Sequence, residues 1–273
     1  MTCHMMGGLG NQLFQIFATL AYSLRHKIRY CFPNFQGMKG IDGKSERPPY
    51  WDTLFLKLKP HIRDVDGIKV NEINSHRYVQ PPEPVKGSNM ILFGYFQSLR
   101  YFRDYESQIV DLMGFDKFQE DIGSIDAISI HFRIGDYRAN PWFHPILSNT
   151  YYENALKQII LTTGKKDWKV KYCCEEQDIA DVSEKINALS DKFSELIFER
   201  IDPELEDWQQ MIYMSCCQHN IIANSTFSWW SAYLNKNPHK VVCYPRVWFG
   251  PTSGIKDTSG LFEGLGWINI ACG

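Results

Sequence analysis

The chain has 273 residues, of which 44% are hydrophobic and 22% charged, a balance typical of a globular protein with one large or two smaller domains. Its net charge of −2, from 29 basic and 31 acidic residues, argues against a nucleic-acid partner bound through a broad basic face. No segment approaches the roughly 20 apolar residues that span a bilayer, and the N-terminus lacks the basic and apolar regions of a signal peptide. We therefore expect a cytoplasmic protein without a membrane span.

The eight cysteines include no pair with C-x-x-C spacing. Two pairs are adjacent in sequence, a separation that does not allow an ordinary disulfide. The pattern predicts reduced thiols and no zinc site.

The N-terminal part combines one strong helical pattern with irregular sequence. Apolar spacing predicts a helix over 13–25, directly after a glycine-rich turn at 7–10 that follows a very short strand. Further along we predict strands over 28–32 and 89–96, a long irregular loop over 33–51, and a helix near 98–113.

From residue 127 onward, strands and helices alternate strictly. The predicted strands are 127–133, 168–174, 195–201, 220–224 and 240–245, and the predicted helices are 150–163, 178–190, 203–217 and a short one from 226. This alternation indicates an α/β fold with a parallel sheet covered by helices, as in a Rossmann-like domain. We place a domain boundary near residue 120, giving an N-terminal α/β domain, 1–120, and a C-terminal domain, 121–273.

The sequence "GGLGNQ" (7–12) opens the first predicted helix. The free backbone N–H groups and the dipole at such a helix N-terminus favour an anion. Gly8 and Gly10 would let a phosphate or a sugar approach the backbone, and Asn11 and Gln12 add amides that can bind a polar ligand. A tight strand-to-helix turn without a ligand is the alternative interpretation.

A buried strand ends in charged residues in "SIHFRIGDYR" (129–138). Open α/β sheets bind ligands at the carboxyl ends of their strands. Strand alternation places His131 and Arg133 on one side and Phe132 on the other. Arginine suits a pyrophosphate because its fork binds two oxygens and keeps its charge. The alternative is a structural ion pair between Arg133 and Asp136.

The segment "IIANSTFSWW" (221–230) is again strand, turn and helix. Ser225, Thr226 and Ser228 lie where hydroxyls and helix N–H groups together can hold a phosphate. Capping of the helix would explain one hydroxyl but not three. The two tryptophans that follow are interpreted as anchors of the helix in the core.

Two other segments resemble functional motifs without matching them. "GMKGIDGKS" (37–45) has Met38 where a phosphate-binding loop requires glycine. "DVD", Asp64 to Asp66, resembles the D-x-D of metal-dependent sugar-nucleotide enzymes, but it precedes a glycine in a polar segment, which favours a turn.

Four motifs occur in order along the chain: "GGLGNQLFQ", "GYFQSLRYF", "HFRIGDY" and "HNIIANSTFSWWSAYLN". In these the chain resembles the inverting α-1,2-fucosyltransferases and, more distantly, the α-1,6- and protein O-fucosyltransferases. The resemblance implies a GT-B-like fold, with two Rossmann-like domains facing across a cleft. It also implies GDP-β-L-fucose as the donor substrate, no cofactor and no metal.

The resemblance assigns roles to particular residues. Arg133 would bind the β-phosphate of GDP, with His131 and Asp136 in the same motif, residues 225–228 would line the diphosphate, and Asn11 would face the sugar from the N-terminal, acceptor-side domain. We propose Asp136 as a general base. The predicted catalytic residues are Arg133, Asp136 and Asn11, and the predicted donor-binding residues are Gly8, Gly10, His131, Arg133, Asn224, Ser225, Thr226, Phe227 and Ser228.

The sequence departs from the family pattern at two positions. The family usually has a second arginine where this chain has Ile134, and an aspartate where it has Gln210; Asp207 lies one turn before. The resulting prediction is transfer of fucose to the 2-hydroxyl of a terminal galactose in a glycan. A non-catalytic GDP-sugar or glycan-binding module, or a metal-dependent transferase using Asp64 and Asp66, are the alternatives.

Overall fold

The computed structural model describes residues 1–40, 43–44, 46–72 and 77–273. Three residues of the 37–45 segment, Ile41, Asp42 and Ser45, lie outside these ranges. The chain divides into two compact units: unit 1 comprises 1–117 and 257–265, and unit 2 comprises 118–256 and 266–273.

Unit 1 contains a small parallel sheet. Its strands are β1 (Thr2–Cys3), β4 (Ile68–Asn71) and β5 (Met90–Phe93), in the order β1-β5-β4. A separate antiparallel pair is formed by β2 (Met38–Lys39) and β3 (Glu46–Arg47). The helices are α1 (Leu9–His26) and α2 (Glu106–Met113), and α3 (Phe115–Ile122) lies across the division between the units.

Helix α1 is the helix predicted over 13–25, and it begins one turn earlier, at Leu9. Its apolar residues, among them Leu13 and Phe17, are fully buried. It ends at His26, and the C-cap residue Lys27 adopts the left-handed conformation, with φ of 53°. The helical spacing of apolar side chains therefore identified the core helix of unit 1 correctly.

Three predictions for this region need correction. Segment 28–32 is not a strand, because only Phe32 forms an isolated bridge, with Ile62. The helix predicted near 98–113 begins at Glu106, after two short 3-10 turns. Helix α3 was not predicted, since its sequence is largely polar and it is separated from α2 only by Gly114.

Unit 2 is built on a six-stranded sheet in which all neighbouring strands are parallel. The strands are β6 (Ile125–His131), β7 (Lys169–Cys173), β8 (Ile197–Arg200), β9 (Cys217–Ile221), β10 (Val242–Pro245) and β11 (Ile268–Ile270), in the order β11-β10-β9-β6-β7-β8. The connecting helices are α4 (Asn149–Thr163), α5 (Ile179–Lys192), α6 (Asp207–Ser215) and α7 (Thr226–Leu234). The α/β class predicted from the alternation is confirmed, while the arrangement of two domains about a cleft stays a prediction.

The strand order creates a topological switch point between β6 and β9. The chain runs outward from β6 through β7 to β8, and then returns to the other side of β6 to continue through β9. Open parallel sheets bind ligands at the carboxyl ends of the strands beside such a reversal. Both predicted ligand-binding segments of unit 2 follow these two strands.

Two absences hold for the part of the chain that the structure describes. All eight cysteines lie within it, and none forms a disulfide. None of its helices combines the length and the apolar character that crossing a membrane requires.

Candidate active site

The structure brings the two segments at the switch point into contact. The Tyr137 hydroxyl donates a hydrogen bond to the Asn224 carbonyl oxygen at 2.9 Å. The ring centroids of His131 and Phe227 are 5.1 Å apart. The segments therefore form one site, although 86 or more residues of sequence separate these partners.

The predicted alternation is observed in β6 and continues into the residues that follow it. Ile130, Phe132 and Ile134 point into the hydrophobic core of unit 2. The intervening His131 and Arg133 lie on the other side, where His131 contacts Phe227. Ile134, which stands where the family usually has a second arginine, follows the strand and is buried in this core, so it brings no charge to the site.

The Arg133 guanidinium lies at the centre of the site, with its side chain only 13% exposed. It donates hydrogen bonds to Asp136 and to Glu175. Its Cζ is 4.9 Å from the centroid of the Tyr137 ring. Burial acts to lower the pKa of Arg133, but Tyr137, Glu175 and Asp136 together raise it, so the cation persists at any physiological pH.

The ion pair with Asp136 was the structural alternative in the sequence interpretation, and it is present. Asp136 is buried, and its carboxylate accepts a hydrogen bond from Arg133. This carboxylate is engaged by Arg133 and is not free to turn towards an acceptor hydroxyl. The general-base role of Asp136 stays a prediction, and this geometry disfavours it.

Sequence reasoning missed two carboxylates that follow β7. Glu175 pairs with Arg133, and the buried Asp178 accepts hydrogen bonds from the backbone N–H of Gly135 at 2.6 Å and from Arg138 at 3.2 Å. Because β7 pairs with β6, its carboxyl end lies beside the arginine. The run "EEQD" (175–178) after the predicted strand 168–174 was the available signal, but the order of strands in the sheet was needed to use it.

The turn after β6 depends on glycine at position 135. Gly135 has a φ of +24°, and a Cβ there would lie 2.6 Å from Oε2 of Glu175. Any side chain would therefore collide with the carboxylate that binds Arg133. The glycine lets Glu175 and the turn approach each other.

His131 is a neutral member of the site. Burial, and secondarily the charge of Arg133, lowers its pKa to about 3. Its Nδ1 is buried and makes no hydrogen bond. The imidazole can therefore contact a ligand only as an uncharged group.

The turn before α7 uses its hydroxyls in different ways. Ser228 is buried; its hydroxyl accepts a hydrogen bond from the Ala223 N–H at 3.2 Å and donates one to the Ser225 carbonyl oxygen at 3.4 Å. Ser225 is the N-cap residue, but its hydroxyl makes no capping hydrogen bond. Thr226 begins the helix. Ser228 thus stabilises the turn, whereas the Ser225 hydroxyl is not used as a cap.

Asn224 connects this turn to two other loops. Its side-chain Nδ2 donates hydrogen bonds to the carbonyl oxygens of Pro145, at 3.0 Å, and Trp248, at 3.2 Å. The residue is buried, and Trp229 and Trp230 behind it are fully buried, as predicted for anchors in the core. The side chain of Asn224 therefore positions the backbone around the site.

Gln210 makes contacts inside unit 2. Its Nε2 donates a hydrogen bond to the Leu205 carbonyl oxygen at 2.8 Å, and its Oε1 accepts one from the Cys173 thiol at 2.8 Å. Asp207 is the first residue of α6. The amide that replaces the family's aspartate thus fastens the start of α6 to the end of β7.

In unit 1, the glycine-rich turn forms the N-terminus of α1. Gly8 is the N-cap residue, and its carbonyl oxygen accepts hydrogen bonds from the N–H groups of Asn11, at 2.9 Å, and Gln12, at 3.0 Å. Gly10 is buried in the first turn of the helix. The Asn11 Oδ1 accepts a hydrogen bond from Nε2 of Gln97 at 2.8 Å. The amides predicted to meet a ligand are thus held in a network of neutral groups.

A buried carboxylate supports the segment that carries Gln97. Glu72 Oε2 accepts a hydrogen bond from the N–H of Tyr95 at 2.7 Å. Burial raises the pKa of Glu72 to about 7, against the effect of hydrogen bonds from the backbone of Phe96 and Tyr95. Phe96 has a φ of 54°, an unusual conformation for a bulky residue. The "GYFQSLRYF" motif thus contains a strained turn braced by Glu72.

The D-x-D segment lies in an exposed loop. The Asp64 carboxylate accepts a hydrogen bond from the backbone N–H of Asn34 at 3.0 Å. The backbone carbonyl of Asp66 accepts one from the Asn89 side chain at 2.9 Å. Over the residues that the structure describes, no group of three or more His, Cys, Asp or Glu side chains is placed to hold a metal ion.

The family model for glycosyl transferase family 11 matches residues 74–246, a span that includes the whole Arg133 site. The chain belongs to glycosyl transferase family 11.

Two curated proteins of Escherichia coli are similar to the chain. An O-antigen biosynthesis glycosyltransferase, WbnK, is 30% identical over 208 residues, which cover 66% of this chain and 60% of that protein. An alpha-1,2-colitosyltransferase is 23% identical over 277 aligned positions, which cover 89% of this chain and 90% of that protein. The match to the first relative thus spans somewhat less than two thirds of its length.

Among solved structures, the chain is similar to POFUT1. A crystal structure of POFUT1 in complex with GDP-fucose has a TM-score of 0.47 at 14% identity, covering 89% of this chain and 97% of that chain. One of POFUT1 in complex with GDP has a TM-score of 0.46 at 13% identity, covering 89% and 96%.

Proposed function

We propose that the chain is a GDP-fucose-dependent glycosyltransferase that transfers L-fucose to the 2-hydroxyl of a terminal galactose in a glycan. The observation that supports this most directly is the buried Arg133 at the carboxyl end of β6, beside the turn that precedes α7. A cation and a helix N-terminus on neighbouring strands suit a diphosphate. Membership of family 11 supports a sugar as the transferred group.

In the proposed reaction the site acts on the leaving group. As the bond between fucose and GDP breaks, negative charge grows on the β-phosphate, and Arg133 stabilises it more strongly in the transition state than in the bound substrate. Asp136 and Glu175 keep the guanidinium in place until the donor arrives. Asn11 is proposed to bind the sugar, and inversion at the anomeric carbon would follow from attack on the face opposite GDP.

A second donor sugar is supported by one of the relatives. Colitose differs from fucose by lacking one further hydroxyl, and the relative with 90% coverage is named an alpha-1,2-colitosyltransferase. The two donors are distinguished by whether the site holds a hydrogen-bonding group for that hydroxyl, since a site built for a hydroxyl rejects the analogue that lacks it.

The test is a direct assay with purified protein. We expect that incubation with GDP-fucose and a panel of galactosides releases GDP and adds the mass of one deoxyhexose to the acceptor, as detected by mass spectrometry. Permethylation analysis should place the new linkage on the galactose 2-hydroxyl. GDP binding without any release of GDP from the donor would instead identify a non-catalytic binding module, and transfer only from the colitose donor would select the second candidate.

A further inference from the structure

Two loops of unit 2 lie side by side: residues 142–146, in the connection after β6, and residues 247–252, after β10. We call them the aromatic loop pair. The N–H of Gly250 donates a hydrogen bond to the Phe143 carbonyl oxygen at 2.8 Å. A Cβ on Gly250 would lie 2.1 Å from the Trp142 carbonyl oxygen, so only glycine allows this approach. The two loops are therefore held in one arrangement.

The aromatic loop pair is fastened to the candidate active site. Asn224, in the turn before α7, donates hydrogen bonds from Nδ2 to the carbonyl oxygens of Pro145 and Trp248, one from each loop. The carbonyl of Asn224 in turn accepts the Tyr137 hydroxyl. One residue thus fixes both loops relative to the Arg133 motif.

Apolar side chains on both loops face solvent. Trp142 is 70% exposed, and Ile146 and Val247 are also exposed. Such a large apolar side chain gains no stability from packing in the free protein, and its exposure therefore indicates a binding surface. A flat aromatic face of this kind suits the apolar face of a pyranose ring.

His144 lies at the inner end of the same loop. Its ring stacks on Tyr137, with centroids 4.4 Å apart and planes inclined by 14°, and the rings of Phe143, at 4.6 Å, and Phe249, at 5.7 Å, also contact it. Its Nδ1 is buried without a hydrogen bond, which leaves Nε2 as the ring nitrogen available to a ligand. Burial lowers the pKa of His144 below its ordinary 6.5, with Asp136 opposing and Arg133 adding to the effect.

We propose that the aromatic loop pair is the acceptor-sugar subsite, in which Trp142 stacks on the galactose ring and His144 is the general base. In the reaction, the acceptor hydroxyl gives its proton to Nε2 of His144 as its oxygen bonds to the anomeric carbon. The bond from that carbon to the phosphate oxygen breaks, and its electron pair leaves with GDP. The inference rests on the proposed function and assigns the base role to a neutral imidazole instead of the ion-paired Asp136. It also places the acceptor sugar on unit 2, whereas the resemblance implied an acceptor side in the N-terminal domain.

The charges around His144 suit this role. The imidazole is uncharged at neutral pH and can accept a proton. The imidazolium formed lies near Asp136, whose charge favours it, and near Arg133, whose charge promotes return of the proton once GDP has left. Asp136 therefore supports the step without taking the proton itself.

The stacking role of Trp142 is tested with Trp142→Ala. Leu161→Ala is the matched control, because Leu161 is also an exposed apolar residue, 79% exposed on α4. We expect methyl β-D-galactoside, titrated into the GDP complex by calorimetry, to bind the Trp142→Ala protein at least about tenfold more weakly than the wild type or the control, since about 1.4 kcal/mol of stacking is a factor of ten. GDP affinity should stay unchanged. Equal galactoside affinity in all three proteins, or no galactoside binding to the wild type, would overturn the subsite.

The base is tested with His144→Gln, which keeps a polar planar group. We expect kcat to fall by about 100-fold or more while GDP affinity and the melting temperature stay near those of the wild type. In the wild type, kcat/KM should decline as pH falls through the lowered pKa of His144, and this decline should be absent from the variant. A His144→Gln protein with normal kcat refutes the base.

These outcomes are separable from failure of the proposed function. If the wild type transfers fucose and neither variant differs from it, only the subsite is wrong. If the wild type releases no GDP from GDP-fucose but binds galactoside through Trp142, the subsite stands and the proposed function fails. The oligomeric state is measured by analytical ultracentrifugation. If the wild type is a dimer and Trp142→Ala is a monomer, the loops serve self-association and the proposal is overturned.

Discussion

The two predicted ligand-binding segments, at the start of α1 in unit 1 and after β6 in unit 2, differ in charge. In unit 2, Arg133 is a buried cation held by the carboxylates of Asp136 and Glu175. In unit 1, the turn before α1 presents neutral amides, and Asn11 is bound by Gln97. Charge-assisted hydrogen bonds are roughly twice as strong as neutral ones. The difference predicts that unit 2 determines affinity for the anionic part of a donor, and that unit 1 contributes to orientation more than to affinity.

The ionisable groups buried beside these segments shift in opposite directions. Burial raises the pKa of Glu72 in unit 1 to about 7 and lowers that of His131 in unit 2 to about 3. In both cases the low dielectric favours the neutral form. The imidazole beside Arg133 in unit 2 is therefore uncharged at neutral pH, whereas unit 1 carries a carboxyl group that changes its charge near neutral pH.

The strongest test of the comparison is Arg133→Lys. Lysine keeps the charge but cannot reproduce the planar, two-pronged contact. We expect kcat for fucose transfer to fall by about 100-fold or more, with a smaller change in donor KM and a melting temperature near that of the wild type. Because Ile134 is buried in the core, no adjacent arginine can compensate.

The control for that variant is Arg200→Lys, since Arg200 lies on β8 of the same sheet and pairs with Glu176. It should leave the kinetics unchanged. A folded Arg133→Lys protein with near-normal kcat would return the motif to a structural role.

The two serines of the turn before α7 provide the next test, and the structure predicts different outcomes for them. Ser225→Ala should weaken GDP binding by about 1.5–3 kcal/mol, the value of one hydrogen bond to a charged oxygen. Ser228→Ala should instead cost about 1–3 kcal/mol of folding stability, because it leaves the buried N–H of Ala223 without its partner. Calorimetry with GDP and chemical denaturation measure the two effects; unchanged GDP affinity in Ser225→Ala would contradict the ligand role.

Glu72 allows a test of unit 1 alone. Its folded pKa of about 7 lies above the ordinary 4.5, so the folded state binds more protons than the unfolded state between these values, and stability falls as pH rises through this window. Glu72→Gln should be more stable than the wild type by about 1–3 kcal/mol at pH about 8. The advantage should disappear near pH about 4.5. Urea denaturation at both pH values measures it, and a gain that does not vary with pH would contradict the assignment.

The smallest expected effect is that of a chelator. We predict that EDTA leaves fucose transfer unchanged, because in the proposed reaction Arg133 stabilises the charge on the leaving group without a metal ion. Loss of activity with EDTA that Mn²⁺ restores would favour the metal-dependent alternative. Asp64→Asn with Asp66→Asn would then show whether the D-x-D segment is responsible.

Periodicity was sufficient for much of unit 2 and for α1. The helix predicted over 150–163 is observed at Asn149–Thr163, and the strand with alternating core residues is β6. Periodicity failed where the structure of a segment depends on a partner distant in sequence. Segment 28–32 is apolar enough for a strand, yet only Phe32 finds a bridging residue. Helix α3 has a polar sequence that resembles a linker.

The site was accessible to sequence reasoning only in part. Arg133 could be found because a charged residue at the end of a buried strand is unusual, and the turn at 224–228 because its hydroxyls exceed what capping requires. Glu175 could not be placed beside Arg133, because this depends on the pairing of β7 with β6, and strand order is not encoded in the pattern of a single chain. The stacking of His144 on Tyr137 depends on the path of an irregular loop, which has no periodic pattern to predict it.

The path of the chain between the units has a genetic consequence. After completing most of unit 2, the chain contributes 257–265 to unit 1, where Leu261 is fully buried, and then returns to form the edge strand β11. A nonsense codon just after residue 256 would therefore damage both units at once. For the same reason, a fragment 1–117 would lack residues 257–265 of its own unit. A fragment 118–273 would carry these residues without the rest of unit 1. The two fragments could reassemble only if residues 257–265 of the second packed against the first. A split reporter should therefore be divided in an exposed loop within one unit.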